Sequence, residues 1–135
     1  MLKNHTYLAI FFTLAAMLLF SCPAKAQDDV FAPIGKYIAQ GDAERLSAWF
    51  APSIEMGILR QDSPTSKAQA RQLVKAFFSK YPPRSFNVTH KASKGNGKYA
   101  IGTLNAGGEN FIVSIVTTLD EKTGSFLIQQ ISISR

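Results

Sequence analysis

Two side chains of this sequence could carry a proton in a reaction, His90 and Glu55. Such a role needs an imidazole or carboxylate held where its surroundings can tune its acidity. His90 alternates in step with Phe86 and Val88, so it could point into a core, whereas Glu55 alternates with apolar neighbours and faces away from them. Each also has a structural interpretation, His90 as a hydrogen-bonded strand residue and Glu55 as a solvated edge charge.

Most other site chemistries are excluded by composition. The chain has one cysteine and two histidines, and Cys22 and His5 both precede the predicted mature domain. Without them, thiol chemistry, cysteine-ligated metals and a multi-histidine zinc site within one chain are excluded. The sequence also lacks a G-x-S-x-G motif and the glycine patterns of nucleotide-binding loops. We therefore assign no metal site and no cofactor.

The first 26 residues have the pattern of a signal peptide. Lys3 precedes an apolar run, Tyr7–Phe20, which suits a signal-peptide core and is short for a membrane span. Ala24 and Ala26 then form an A-x-A cleavage site, which predicts an exported protein, periplasmic or secreted, cut between Ala26 and Gln27. Residues 27–135 remain as a single domain, with no stable membrane span.

A competing interpretation makes Cys22 the lipid-anchored first residue of a lipoprotein. Leu19 and Ser21 fit a lipobox, but Phe20 is bulky where small residues usually lie, and Pro23 follows the cysteine directly. An uncleaved anchor is a third interpretation, which the short apolar run disfavours.

The chain is moderately basic, with a formal net charge of +6 at pH 7. Its basic residues are scattered, which disfavours a nucleic-acid partner. Lys91, Lys94 and Lys98 are the densest group, around a predicted turn. They form either a solvated hairpin tip or a contact with an anionic envelope surface.

Periodicity and capping residues predict three helices. Asp29 begins the first and Gly41 ends it, Asp42 caps a short second helix that Pro52 stops, and Ser66 with Gln69 forms a capping box for the third. The third helix is amphipathic and spans residues 67–81. A strand is predicted over residues 53–61, followed by a loop, "DSPTS".

From residue 84 onward the sequence alternates as strands do, with short glycine-containing turns between them. Four segments, 84–93, 98–105, 110–119 and 125–134, predict an antiparallel meander. The fold class is therefore α+β, with three N-terminal helices packed on a mainly antiparallel sheet in the order α-α-β-α-β-β-β-β.

The last two strands are apolar on both faces, although three helices can cover only one face of the sheet. Ile112 and Val116 lie opposite Phe111, Val113 and Ile115. A second copy of the chain is the simplest cover for that face, which predicts a homodimer packed through the sheet.

The element order, together with "GDAERLSAWFAPSIEM" from Gly41 to Met56, resembles the nuclear-transport-factor-2-like superfamily, also called SnoaL-like or cystatin-like. The stretch from "DDVFAPIGKYIAQGD" to "GTLNAGGENF" is similar to a family of small exported bacterial proteins, domain of unknown function 4783. The resemblance implies a curved, cone-shaped sheet, a concave pocket and frequent dimerisation through the sheet.

Some members of that superfamily are isomerases, dehydratases or cyclases, and others only bind or scaffold, so the fold does not specify the function. The enzymes use a buried Asp, often with a Tyr or a His–Asp pair, and no residue here matches such a motif. The first hypothesis is a non-catalytic exported domain whose pocket binds a small apolar ligand or a protein partner. The alternatives are an isomerase or dehydratase using His90 or Glu55 as proton carrier, and a structural envelope module. The candidate pocket-lining residues are Phe31, Tyr37, Trp49, Phe77, Phe78, Phe86, His90 and Tyr99.

Overall fold

Three helices and six strands form residues 31–134, within the range 29–135 that the computed structural model describes. The predicted signal peptide, its cleavage site and Cys22 lie outside the described residues. The α+β fold class is confirmed, with one strand more than the sequence predicted. The elements are α1 (Phe31–Gln40), α2 (Ala43–Ser47), β1 (Phe50–Ile58), β2 (Ser63–Ser66), α3 (Lys67–Lys80), β3 (Pro83–Lys94), β4 (Gly97–Ala106), β5 (Glu109–Asp120) and β6 (Ser125–Ser134).

The predicted caps of the second and third helices are present. The Asp42 carboxylate accepts a hydrogen bond from the backbone nitrogen of Arg45 at 3.1 Å. The Ser66 hydroxyl accepts one from the backbone nitrogen of Gln69 at 3.2 Å. Gly41 ends α1 with φ +67°, the left-handed conformation that glycine adopts most easily. These local bonds satisfy backbone groups that a helix end leaves without partners.

The strands form an open sheet in the order β2-β1-β6-β5-β4-β3. The predicted antiparallel meander from β3 to β6 is confirmed, and β1 pairs in parallel with β6. The sequence placed a loop where β2 pairs with β1. Pro64 lies in this strand, and proline is tolerated there because β2 is an edge strand.

The core lies between the helices and one face of the sheet, called here the inner face. Helix residues such as Ile34, Leu46 and Val74 are almost fully buried. So are Leu104 of β4 and Phe111 of β5. Burying each large apolar side chain contributes roughly 1.5–3 kcal/mol, so this interface supplies much of the stability.

Two bulges change which side chains face the core. In β3, Val88 pairs with Gly102 but His90 pairs with Ile101, so Thr89 is an extra residue. The extra residue reverses the alternation, and His90 is exposed on the outer face of the sheet, away from the helices. The alternation allowed His90 to point into the core, and the structure instead places it on the outer face.

The second bulge accounts for the apolar pattern of β6. The register between β5 and β6 shifts after Val116, leaving Gln129 without a directly opposite residue. As a result Ile128 and Ile131 both lie on the inner face, and both are buried. Ile133 is also buried on the inner face, so Leu127, opposite Thr118, is the half-buried apolar residue that β6 leaves on the outer face.

An apolar patch remains on the outer face of β4 and β5. Tyr99, Ile101 and Ile112 are 39%, 42% and 48% exposed, and Val116 is half-buried. Within residues 29–135, no helix combines the length and apolar character needed to cross a membrane.

Candidate functional site

A cleft of about 410 Å³ opens between α3, the end of β1 and the edge strand β2. Its volume falls within the range of small-molecule sites. Leu59 and Leu73 are only partly covered, at 39% and 41% exposure. The cleft is lined by Met56, Ile58, Leu59, Arg60, Ser63, Pro64, Thr65, Gln69, Leu73, Ala76, Phe77, Lys80 and Tyr81.

The turn between β1 and β2 holds Leu59 and Arg60 at the mouth of the cleft. Leu59 has φ +58°, an uncommon conformation for a residue other than glycine. Its backbone nitrogen donates to the carbonyl oxygen of Ile133 at 2.8 Å, which fixes the start of the turn to β6. At the other end, the Asp62 carboxylate accepts a hydrogen bond from the Gln130 side chain at 2.6 Å. The turn is therefore anchored on both sides of Arg60.

An aromatic cluster where α3 ends forms one wall of the cleft. The ring centroids of Phe77 and Tyr81 are 5.2 Å apart, and the Phe111 ring lies edge-on to both, at 5.2 Å and 5.1 Å. Arg135 donates to the Tyr81 hydroxyl at 3.2 Å. The backbone nitrogen of Gly107 donates to the Pro82 carbonyl at 2.9 Å, which holds the residues after α3 against the β4–β5 turn. These contacts make a preformed apolar wall.

The charge that lines the cleft is entirely positive. Arg60 and Lys80 are the charged members of its described lining, which includes no carboxylate. Arg60 is exposed and forms no ion pair with any residue between 29 and 135. The Lys80 ammonium lies 5.5 Å from the centroid of the Tyr81 ring. A second groove, lined by Leu59, Arg60, Ser132, Ile133, Ser134 and Arg135, shares Arg60 with the cleft.

The predicted pocket residues are spread over the domain, and Phe77 is the one that lines the cleft. Phe31 and Phe78 are buried in the core, and Tyr37 and Trp49 are half-buried. The others lie elsewhere: Phe86 is half-buried over Gly102 and beside Gly35, and His90 and Tyr99 border a shallow depression on the outer face.

Both candidate proton carriers lie away from the cleft. Glu55 is exposed, as its alternation predicted, and pairs with Gln130 of β6 on the outer face. His90 is exposed beside Ile101 in β3, and three strands separate β3 from β1, which carries Glu55. The structure therefore does not bring the two side chains together. In residues 29–135, no group of three His, Cys, Asp or Glu side chains is placed to hold a metal ion.

Sequence reasoning missed the residues that define the cleft. Leu73 has helical spacing with Ala70, Val74 and Phe77, which favours the buried side of α3, although Leu73 is partly exposed in the structure. Leu59 and Arg60 were assigned to a continuing strand, whereas β1 ends at Ile58. The signal that could have found them is Leu59, an apolar residue on the otherwise polar side of the predicted strand, next to Arg60 and a short polar segment.

Residues 31–134 match the family described as domain of unknown function, DUF4783. The chain belongs to this family. A crystal structure of a DUF4783 protein from Bacteroides uniformis is 23% identical, with a TM-score of 0.73, and the alignment covers 79% of this chain and 97% of that one. At this level of identity the likeness establishes the fold alone.

Two more distant structures, both from Silicibacter pomeroyi, share the fold of this DUF4783 protein. One is a protein with a cystatin-like fold, 13% identical, with a TM-score of 0.58 and coverage of 82% of this chain and 75% of that one. The other is an NTF-2-like protein of unknown function, 13% identical, with a TM-score of 0.57 and coverage of 76% and 87%. No curated protein matches the chain. The resemblance to the nuclear-transport-factor-2-like superfamily is thus confirmed at the level of the fold.

Proposed function

We propose that this DUF4783 protein is an exported, non-catalytic binding domain that holds a small apolar ligand in the cleft between α3 and β1–β2. The observation that carries this proposal is the cleft itself, about 410 Å³ in volume, into which Leu59 and Leu73 leave apolar surface open to solvent. Partly exposed leucines beside an aromatic wall gain free energy when a ligand covers them.

A neutral fluorescent probe, N-phenyl-1-naphthylamine, tests this proposal. Its emission should rise when it binds the protein, and Ala76→Trp, which fills the cleft from α3, should weaken binding about tenfold or more. Ala68→Trp is the matched control, because Ala68 is exposed on the same helix but does not line the cleft. No binding, or equal binding by the Ala76→Trp variant, would refute the proposal.

The other two functions have less support. The enzyme hypothesis required His90 or Glu55 inside a pocket, and both side chains are exposed on the outer face. The structural-module hypothesis is favoured by a pocket filled with side chains, whereas this cleft is open. Binding of N-phenyl-1-naphthylamine by the parent protein would distinguish a ligand-binding domain from a purely structural one.

We further propose that the outer face of β4 and β5 joins two copies of the chain. A two-fold interface places the same surface on both partners, so a charged face would repel itself. Tyr99, Ile101, Ile112 and Val116 form an uncharged apolar patch that suits such an interface. Sedimentation should give a dimer for the parent protein and a folded monomer for Ile112→Asp. A monomeric parent protein at high concentration would refute the dimer.

Export is part of the same proposal and is supported by the leader sequence. A chain processed between Ala26 and Gln27 has the mass of residues 27–135, whereas a lipoprotein keeps Cys22 and carries acyl chains. The intact mass of protein purified from its own host's envelope distinguishes the two. An acylated Cys22 would place the domain on a membrane surface.

A further inference from the structure

We infer that the ligand of the cleft is an amphipathic acid, with an anionic head group held by Arg60 and Lys80 and an apolar tail along α3. This inference rests on the proposed binding function and adds the chemical class of the ligand. It depends on the charge of the lining and on where the two cations lie along the cleft.

The topology places both cations at the same end of the cleft. The strand β2 is antiparallel to β1, with Ser66 opposite Ser53, so α3 begins beside the first half of β1. Both elements therefore run towards the same end, where β1 stops at Ile58 and α3 stops at Lys80. Arg135, which follows the end of β6, donates to the hydroxyl of Tyr81, which follows the end of α3. Because β6 runs parallel to β1, this hydrogen bond is consistent with the end of α3 lying near the end of β1.

The two cations suit an anion better than a neutral polar group. No carboxylate lies in the described lining to neutralise them, and Arg60 has no ion pair within residues 29–135. A guanidinium binds a carboxylate or phosphate with paired, charge-assisted hydrogen bonds. The anion would sit beside the anchored β1–β2 turn, which already fixes the position of the Arg60 backbone, so that binding orders the Arg60 side chain and not the turn.

The rest of the cleft suits a narrow apolar tail. From Lys80 back to Gln69 the lining on α3 includes Phe77, Ala76 and Leu73, and this stretch is roughly 16 Å long at the helical rise of 1.5 Å per residue. That length is comparable to an extended dodecanoate chain. Ser63 and Thr65 on β2 are the small polar members of the opposite wall. The cleft therefore has a cationic end and a longer, mainly apolar stretch.

The test compares dodecanoate with dodecan-1-ol, which has the same chain and no charge, by calorimetry on protein purified after expression of the full chain. We expect dodecanoate to bind about tenfold or more tightly than dodecanol. In Arg60→Gln/Lys80→Gln this preference should fall to about twofold or less, while the affinity for dodecanol is unchanged. The control is Lys75→Gln/Lys94→Gln, which removes the same charge from exposed positions outside the cleft and should keep the preference.

Each outcome decides a different point. Equal binding of the acid and the alcohol by the parent protein would overturn the inference and leave the binding function standing. A preference that survives in Arg60→Gln/Lys80→Gln would also overturn it, because other cations would then select the acid. If neither compound binds while N-phenyl-1-naphthylamine still does, the inference fails and the binding function stands; if the naphthylamine does not bind either, the proposed function fails together with the inference.

Discussion

Replacing Gly57 by alanine should destabilise the domain and disturb the cleft, although alanine usually improves a strand. Gly57 lies in β1, directly beneath the turn that carries Leu59 and Arg60. A β-carbon there would overlap the Asp62 carboxylate and lie 2.6 Å from the Arg60 carbonyl oxygen and 2.9 Å from the Asp62 backbone nitrogen. The Asp62 side chain could rotate away, but the Arg60 carbonyl oxygen and the Asp62 backbone nitrogen could not, so the whole turn must shift.

The expected cost has two parts. Overpacking of this kind costs about 1–3 kcal/mol. The shift also removes the 2.6 Å hydrogen bond between Gln130 and Asp62, worth about 1 kcal/mol. Together they predict a loss of about 3 kcal/mol in the free energy of unfolding. For a domain of this size that corresponds to a fall in Tm of about 15 °C.

Urea denaturation followed by circular dichroism measures this loss. The midpoint should fall while the m-value stays the same, because the change acts on the native state. N-phenyl-1-naphthylamine should also bind more weakly at temperatures where the variant is still folded, since the turn carries Leu59 and Arg60. A variant as stable as the parent, or stabilised by about 0.5–1 kcal/mol as glycine-to-alanine changes in strands often are, would refute the steric reasoning.

Three further changes test the packing and the caps. Gly35→Ala in α1 should stabilise the domain by about 0.5–1 kcal/mol, because the new β-carbon would lie 3.4 Å from the nearest Phe86 atom; a lower urea midpoint would show that Phe86 cannot yield. Asp42→Ala should cost about 1 kcal/mol and Asp42→Asn much less, because only alanine removes the acceptor for the Arg45 nitrogen; equal thermal losses would contradict the capping role. Leu104→Ala should cost about 2–5 kcal/mol in urea, whereas Thr103→Ala, exposed next to it, should cost under about 0.5 kcal/mol; similar losses would show that the inner and outer faces are misassigned.

The helices and the meander could be predicted because their signals are local. The Asp42 and Ser66 caps, Gly41 and the glycine turns each act within a few residues of the chain. The strand β2 could not be predicted in this way, because its four residues pair with β1 only after the turn at Leu59 has formed.

The candidate site was harder to predict than the fold. A single extra residue, Thr89, reversed the orientation of His90, and no propensity in the sequence marks a bulge at that position. Leu73 has the spacing of a core residue, but it lines the open cleft between α3 and the β1–β2 hairpin and stays partly exposed. Arg60 and Lys80 are twenty positions apart, and the parallel course of β1 and α3 that places them at one end of the cleft is a tertiary property.

The most direct test of the central claim, that the cleft is the binding site, is methyl NMR of the protein labelled at its isoleucine and leucine methyl groups and titrated with dodecanoate. The cleft contains Ile58, Leu59 and Leu73, whereas Ile101 and Ile112 report on the outer face. Binding in the cleft predicts saturable shifts of the first three signals, with Ile101 and Ile112 unchanged. Shifts confined to Ile101 and Ile112 would place the ligand on the outer face and contradict the claim.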